Sequence, residues 1–326
     1  MGLNPTKGKI SMRQIFIMFF LMTASAMIRS LPLHTAKYAR EGSWVVPIIT
    51  VIPFLILLYV FYKLFRRYED KSLDEVYDRV FTKYISKVIL FINLIWILLL
   101  IAYYVRYFGE SIVSSILPHM HVQFFIIVIL TISFFVVRGS IESFARVSEI
   151  FFLMFLIVFS FITVMSVSNI KLINLYPVTI DHALPIVKSS YPIIGIWSYI
   201  TILMFLGNKI VDKDNIKFVG KKFSILLLIV NITIIAITIG QFGYLLTSNF
   251  SFPFYMVFKN INFLNVIQRM ESIFVAFWII VDFALVTSML FSFEELGKKI
   301  FKVKERKSYI NSSNVCDIYI IPIYWS

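Results

Sequence analysis

Asp282 is the residue of this 326-residue chain best placed to do chemistry, because it sits alone in an apolar run, ten residues after Ser272 and eleven before Phe293. If that run crosses a membrane, a charge at its centre is disfavoured by about 2.5–3.5 kcal/mol, so the group must be paired, wetted by a cavity or protonated. Two roles are open to it: a site for a proton, a cation or a ligand ammonium group, or a neutral acid hydrogen-bonded to a neighbouring helix. Arg29 is expected to snorkel to the membrane interface, and the alternative is that it meets a ligand carboxylate. Several polar sets share helical faces: Asn93, Trp96, Leu100 and Tyr103; Tyr191, Gly195 and Ser198; and Asn231, Thr238 and Gln241. Ser160 and Thr163 add to these. Each set either hydrogen-bonds between helices, at about 0.6 kcal/mol per pair, or faces a solute.

Enzyme chemistry is not expected. The sequence has no glycine-rich phosphate loop, no Ser-His-acid or Cys-His set, and no intramembrane histidine or paired carboxylate. His34, His119, His121 and His182 fall in connecting segments, and His119-x-His121 lacks companion ligands, so neither a metal nor a cofactor is expected. The single cysteine, Cys316, excludes an intrachain disulfide and a cysteine-cluster metal site.

The elements that must position these residues follow from composition. Hydrophobic residues make up 59% of the chain and charged residues 15%, at a mean hydropathy of +0.85. Soluble domains carry about 25% charged residues, so this is an all-α polytopic membrane protein. The net charge of +13 is divided among short loops rather than gathered on one soluble face, which excludes nucleic acid as a partner. At roughly 20 residues per crossing, eight spans are expected at about 12–32, 44–62, 87–105, 121–137, 149–168, 185–207, 223–246 and 272–293. Residues 1–11 form an N-terminal segment and 294–326 a C-terminal tail, and no cleavable signal peptide precedes the first span. With the N-terminus in the cytoplasm, the inside segments hold 22 lysines and arginines against 7 outside, a strong positive-inside bias that makes both ends cytoplasmic. The segment 63–83 mixes six basic residues with five acidic ones and reads as a solvated amphipathic surface element or a docking face for another subunit.

Two spans differ from the rest. Span 1 has a small, weakly helical middle, Thr23-Ala24-Ser25-Ala26, and span 6 carries Pro192 and Gly195. Interrupted spans five apart are the pattern of a transporter built from two inverted five-helix repeats, in which broken helices bind solute near the midplane. Alternatively, proline and glycine are simply common in membrane helices, as Pro47 and Pro53 in span 2 show.

The run from Gln14 to Trp44, with Leu31-Pro32, Ala36-Lys37 and Gly42-Ser43-Trp44, resembles the first-helix signature of the spore germination permeases. Asn174-Leu175-Tyr176-Pro177-Val178, Leu184 to Ser190, and Arg269 to Trp278 match in the same order. These permeases are the B subunits of germinant receptors, within the amino acid–polyamine–organocation transporter superfamily. The resemblance covers about residues 8–300 and implies a LeuT-like helix bundle with discontinuous spans 1 and 6. It implies a solute site lined by Thr23, Ser25, Asn93, Trp96, Tyr191, Gly195 and Ser198; Asp282 is not part of the family signature. Two departures stand out: Ser25, Ala26 and Met27 occupy the place of a glycine-rich break, and the sequence ends after eight spans where the family usually has ten, so the last two helices are expected to be lacking. Three functions remain open. The resemblance implies a subunit of a spore inner-membrane receptor that senses a small nutrient germinant such as an amino acid and signals through a large membrane subunit and a lipoprotein subunit. The others are an amino-acid permease, with or without proton coupling, and a truncated non-sensing remnant or assembly subunit.

Overall fold

The computed structural model describes residues 8–68, 71–115, 117–260 and 270–302, of which 270–274 are described by backbone alone. The outermost residues, 1–7, and the expected tail beyond Lys302 lie outside the described residues. The described chain is helical. α1 (Met12–Ala39) and α2 (Val46–Arg67) are joined by a 3₁₀ turn, and α3 (Leu73–Val80) is a short surface helix. Then come α4 (Lys83–Ser115), α5 (Val122–Val137), α6 (Ile141–Val167), α7 (Ala183–Trp197), α8 (Ile200–Met204), α9 (Ile216–Thr247), α10 (Pro253–Lys259) and α11 (Met270–Phe301).

α1 is the axis of the bundle. Its residues Ile15 to Met22 are fully buried, and it packs against α6, α7, α9 and α11. A helix apolar on every side is stable only when surrounded, and this one is. Its start is fixed by a capping box in which Ser11 Oγ accepts from Gln14 N at 3.2 Å and Gln14 Oε1 accepts from Ser11 N at 3.0 Å. The 28 residues of α1 reach about 42 Å, beyond the roughly 30 Å of a hydrocarbon core.

Among the described residues, six apolar helical stretches are long and apolar enough to cross a membrane, and the first of them, Met12–Arg67, holds both α1 and α2. α5, at 16 residues, is a shorter apolar helix. The outer surface is itself apolar. Ile52 and Ile56 on α2, Ile92 and Leu99 on α4, Phe135 on α5 and Ile157 on α6 all point away from the bundle. In water such a belt would aggregate; against lipid it is stable, so the protein is an integral, polytopic membrane protein.

Span 1 is continuous, which corrects the expected break. Two of its hydroxyls return to its own backbone: Thr23 Oγ1 donates to the carbonyls of Phe19 and Phe20, at 3.1 and 2.9 Å, and Ser30 Oγ to that of Ala26 at 2.8 Å. Such bonds satisfy the hydroxyls without leaving the helix, and the burial of α1 on all sides holds it helical. Pro32 lies inside the same helix. Span 6 is interrupted, between α7 and α8, where Tyr199 N donates to Ile196 O at 3.2 Å and Thr201 N to Ser198 O at 2.9 Å. α9 bends at Gly243, whose φ of 72° suits glycine alone.

The segment 63–83 is docked rather than free. α3 buries Leu73 and Val76, Lys213 Nζ donates to Lys71 O at 2.8 Å, and Lys299 of α11 faces Asp74 and Asp78 at 3.5 and 3.4 Å.

Candidate functional site

The bundle encloses a charged pair. Arg29 of α1 and Asp282 of α11 are 1% and 4% exposed, and Arg29 Nη2 pairs with Asp282 Oδ2. Ser25 Oγ donates to the other carboxylate oxygen. The geometry follows from helical spacing. Ser25 and Arg29 are one turn apart on α1, Trp278 and Asp282 one turn apart on α11, and the two stripes face each other. The guanidinium lies between two rings, its carbon 4.8 Å from the centroid of Tyr107 and 4.7 Å from that of Trp278. Cation–π contacts this desolvated are worth about 2 kcal/mol. Behind Tyr107, Tyr103 stacks at 5.7 Å and Phe252 at 6.0 Å. Beside it, the hydroxyls of Tyr104 and Tyr199 meet at 2.7 Å and tie α4 to the interruption between α7 and α8.

The polar balance of this cluster is uneven. Both oxygens of Asp282 are engaged, whereas Arg29 Nε and Nη1 have no hydrogen-bond partner. A guanidinium carries five donors in a fixed fork that suits a carboxylate taken bidentately, so spare donors remain for a second anionic group. The snorkelling expected of Arg29 is thereby corrected. α1 continues seven residues past Pro32, to Ala39, which puts Arg29 well inside the helix, and its charge is met by Asp282.

The other expected site residues are distributed unevenly. Thr23 is buried but spends its hydroxyl on α1 itself. Asn93 is half-buried and donates to Ile89 O at 2.9 Å in its own helix. Trp96 and Tyr191 are 56% and 68% exposed, and Gly195 and Ser198 are also on the surface. These four lie on the outer surface, apart from the Arg29–Asp282 pair. The reason is which face turns inward. α4 buries Leu90, Leu94, Ile97, Ile101, Tyr104 and Phe108, and α7 buries Ile186, Ser189, Ser190, Ile193 and Trp197. Of the span 7 set, Asn231, Thr238 and Gln241 are all buried in α9, the first two bonding within that helix and Gln241 Nε2 reaching Ser166 O at 3.2 Å. Sequence reasoning missed Tyr104, Tyr107, Tyr199 and Trp278. Their signal is the i, i+4 register of Tyr103 with Tyr107 and of Trp278 with Asp282.

An all-helical bundle with a charged pair between α1 and α11 and a helix broken between α7 and α8 defines the class as a polytopic helical membrane protein. A family model described as spore germination protein matches residues 9–325, and the chain belongs to that family. It is similar to the putative spore germination protein YfkT of Bacillus subtilis (strain 168), 25% identical over 275 residues, which is 83% of this chain and 74% of that one. It is also similar to spore germination protein KB of the same strain, 23% identical over 304 residues, 91% of this chain and 80% of that one.

Proposed function

We propose that this protein is the membrane subunit of a spore germinant receptor that senses a small zwitterionic nutrient, an amino acid, at the Arg29–Asp282 pair. The observation that carries the reading is that pair, with Ser25 beside it and with unpartnered guanidinium donors. An amino acid offers the complementary charges: its carboxylate suits Arg29 and its ammonium suits Asp282. A ligand that inserts between the two replaces a helix–helix ion pair by two helix–ligand pairs, so α1 and α11 respond to its arrival. The family membership supports a role in germination, and the resemblance to receptor B subunits supports work with a large membrane subunit and a lipoprotein subunit in the spore inner membrane. Translocation is the second reading, and the engagement of both Asp282 oxygens by Arg29 and Ser25 leaves that carboxylate occupied between the helices rather than open to a passing proton or solute.

The test is equilibrium binding of amino acids to the protein in nanodiscs. Removing either the ligand carboxylate (as the amine) or its ammonium (as the deaminated acid) is expected to weaken binding about 10–100-fold, the worth of a hydrogen-bonded charge. Amines that bind as tightly as amino acids would exclude Arg29 as the partner. Concentrative, pH-driven uptake into vesicles holding this protein alone would assign it as a permease instead.

A further inference from the structure

A cavity of about 320 Å³ lies between the start of α4 and the end of α11, lined by Asp78, Lys83, Lys87, Leu90, Lys299, Ile300 and Lys302. Four lysines thus line a space with one carboxylate on its wall. That carboxylate is already engaged: Asp78 accepts from Ser86 Oγ at 2.6 Å and, with Asp74, faces Lys299 Nζ. Lys83, Lys87 and Lys302 have no ion-pair partner among the described residues. Other lysines at the same end of the bundle are matched, Lys209 with Glu295 and Lys298 with Glu294, each at 2.7 Å. Lys217, Lys221 and Lys222 at the start of α9 are likewise exposed and without an ion pair among the described residues, so the cavity differs from them in bringing its lysines to one recess.

Lysines gathered at one recess repel one another, and an anion bound among them offsets that repulsion. Lys83 and Lys87 are one turn apart on α4 and would repel one another unoccupied. We infer that this cavity binds a phosphate-bearing anion. Ammonium groups are point-charge phosphate binders, and basic recesses between membrane helices at their loop ends take lipid headgroups. Leu90 and Ile300 give the cavity an apolar wall, and Ile85, Val88 and Phe91 continue an apolar surface outward along α4. Acyl chains can follow that surface while the phosphate sits among the lysines, so an anionic phospholipid is the favoured source and a soluble organophosphate the other. The inference is independent of the proposed nutrient site, which lies between α1 and α11 rather than at the mouth of α4.

The experiment is native mass spectrometry of the full chain, released from detergent after loading with phosphatidylglycerol or phosphatidylcholine of the same acyl chains. Glycerol 3-phosphate and inorganic phosphate are added as competitors in parallel. The wild type is expected to retain phosphatidylglycerol and not phosphatidylcholine. The combined variant Lys83→Gln, Lys87→Gln and Lys302→Gln should lose about a hundredfold in affinity, on the worth of lysines near an anionic headgroup. Replacing the same three by arginine should keep the lipid, and so should Lys217→Gln, Lys221→Gln and Lys222→Gln together, which removes equal charge from the exposed start of α9. Thermal unfolding of each variant without lipid checks its fold. Glycerol 3-phosphate that binds saturably and displaces phosphatidylglycerol at comparable concentration would assign the site to a soluble phosphate. Equal retention of the two lipids, or equal loss in the cavity and α9 variants, would overturn the inference.

Discussion

A charge in hydrocarbon is tolerable beside its opposite and costly alone, and the Arg29–Asp282 pair is read through that asymmetry. Arg29→Met or Asp282→Leu alone should destabilise the protein by about 3–5 kcal/mol, because each leaves an unpaired buried charge. The double variant should cost much less than the sum, since it removes both charges at once. Denaturant unfolding of the purified protein measures the cycle, and additive costs would mean that the pair is not coupled. Steric tests separate the inner from the outer positions. Ser25→Trp must displace a fully buried hydroxyl at the pair, whereas a side chain at Gly195 meets nothing within 4 Å. Gly195→Trp should leave folding and ligand binding unchanged, and Ser25→Trp should abolish binding in the same nanodisc assay. Asp282 was legible in the sequence because a lone carboxylate in an apolar run is conspicuous. Its partner was not, because ending span 1 at residue 32 left Arg29 near an edge. The depth match was nonetheless there: Arg29 lies about 17 residues into α1 and Asp282 about 19 before the end of α11.

Helices in this bundle are held by closeness of approach more than by polar bonds. A Cβ at Gly220 of α9 would stand 2.9 Å from Leu58 Cδ1 of α2 and 3.1 Å from Phe16 Cζ of α1, where no side chain fits without movement. Gly220→Val should destabilise by about 1–3 kcal/mol through overpacking. Gly297 of α11 has nothing within 4 Å of its Cβ position, so Gly297→Ala should be neutral or stabilise by up to about 1 kcal/mol through helix propensity. Thermal unfolding of the two variants side by side is the measurement, and equal effects would show that contact at Gly220 is not what matters. The break in span 6 was legible from Pro192 and Gly195, although it falls a few residues later, at Ser198 and Tyr199. The inward face of α4 was not legible. In lipid both sides of a helix are apolar, and the amphipathic rings of Trp96 and Tyr103, read as polar markers, face outward.

At the scale of the whole molecule, segments far apart in sequence meet at one end of the bundle. Lys9 N donates to Glu142 Oε1 at 3.0 Å, Ile10 N to Lys209 O at 2.8 Å, Lys213 Nζ to Lys71 O at 2.8 Å, and Lys299 faces Asp74. These are the N-terminal segment, the 63–83 segment, the start of α6, the loop before α9 and the end of α11. All five carry the lysine and arginine excess that the positive-inside rule assigns to the cytoplasm. At the other end, Lys171 N donates to Gly240 O of α9 at 2.9 Å, and Glu41 faces His182 at 3.4 Å. Chain segments that touch at one end of a membrane bundle share one compartment. Fluorescent-protein fusions before Met1 and after Lys307 should therefore both fluoresce in the cytoplasm, and alkaline phosphatase inserted after Lys171 should be active outside. Phosphatase activity from a fusion after Lys307 would mean that an odd number of helices crosses, and the short α5, at 16 residues, is the first that would have to lie within the membrane rather than span it.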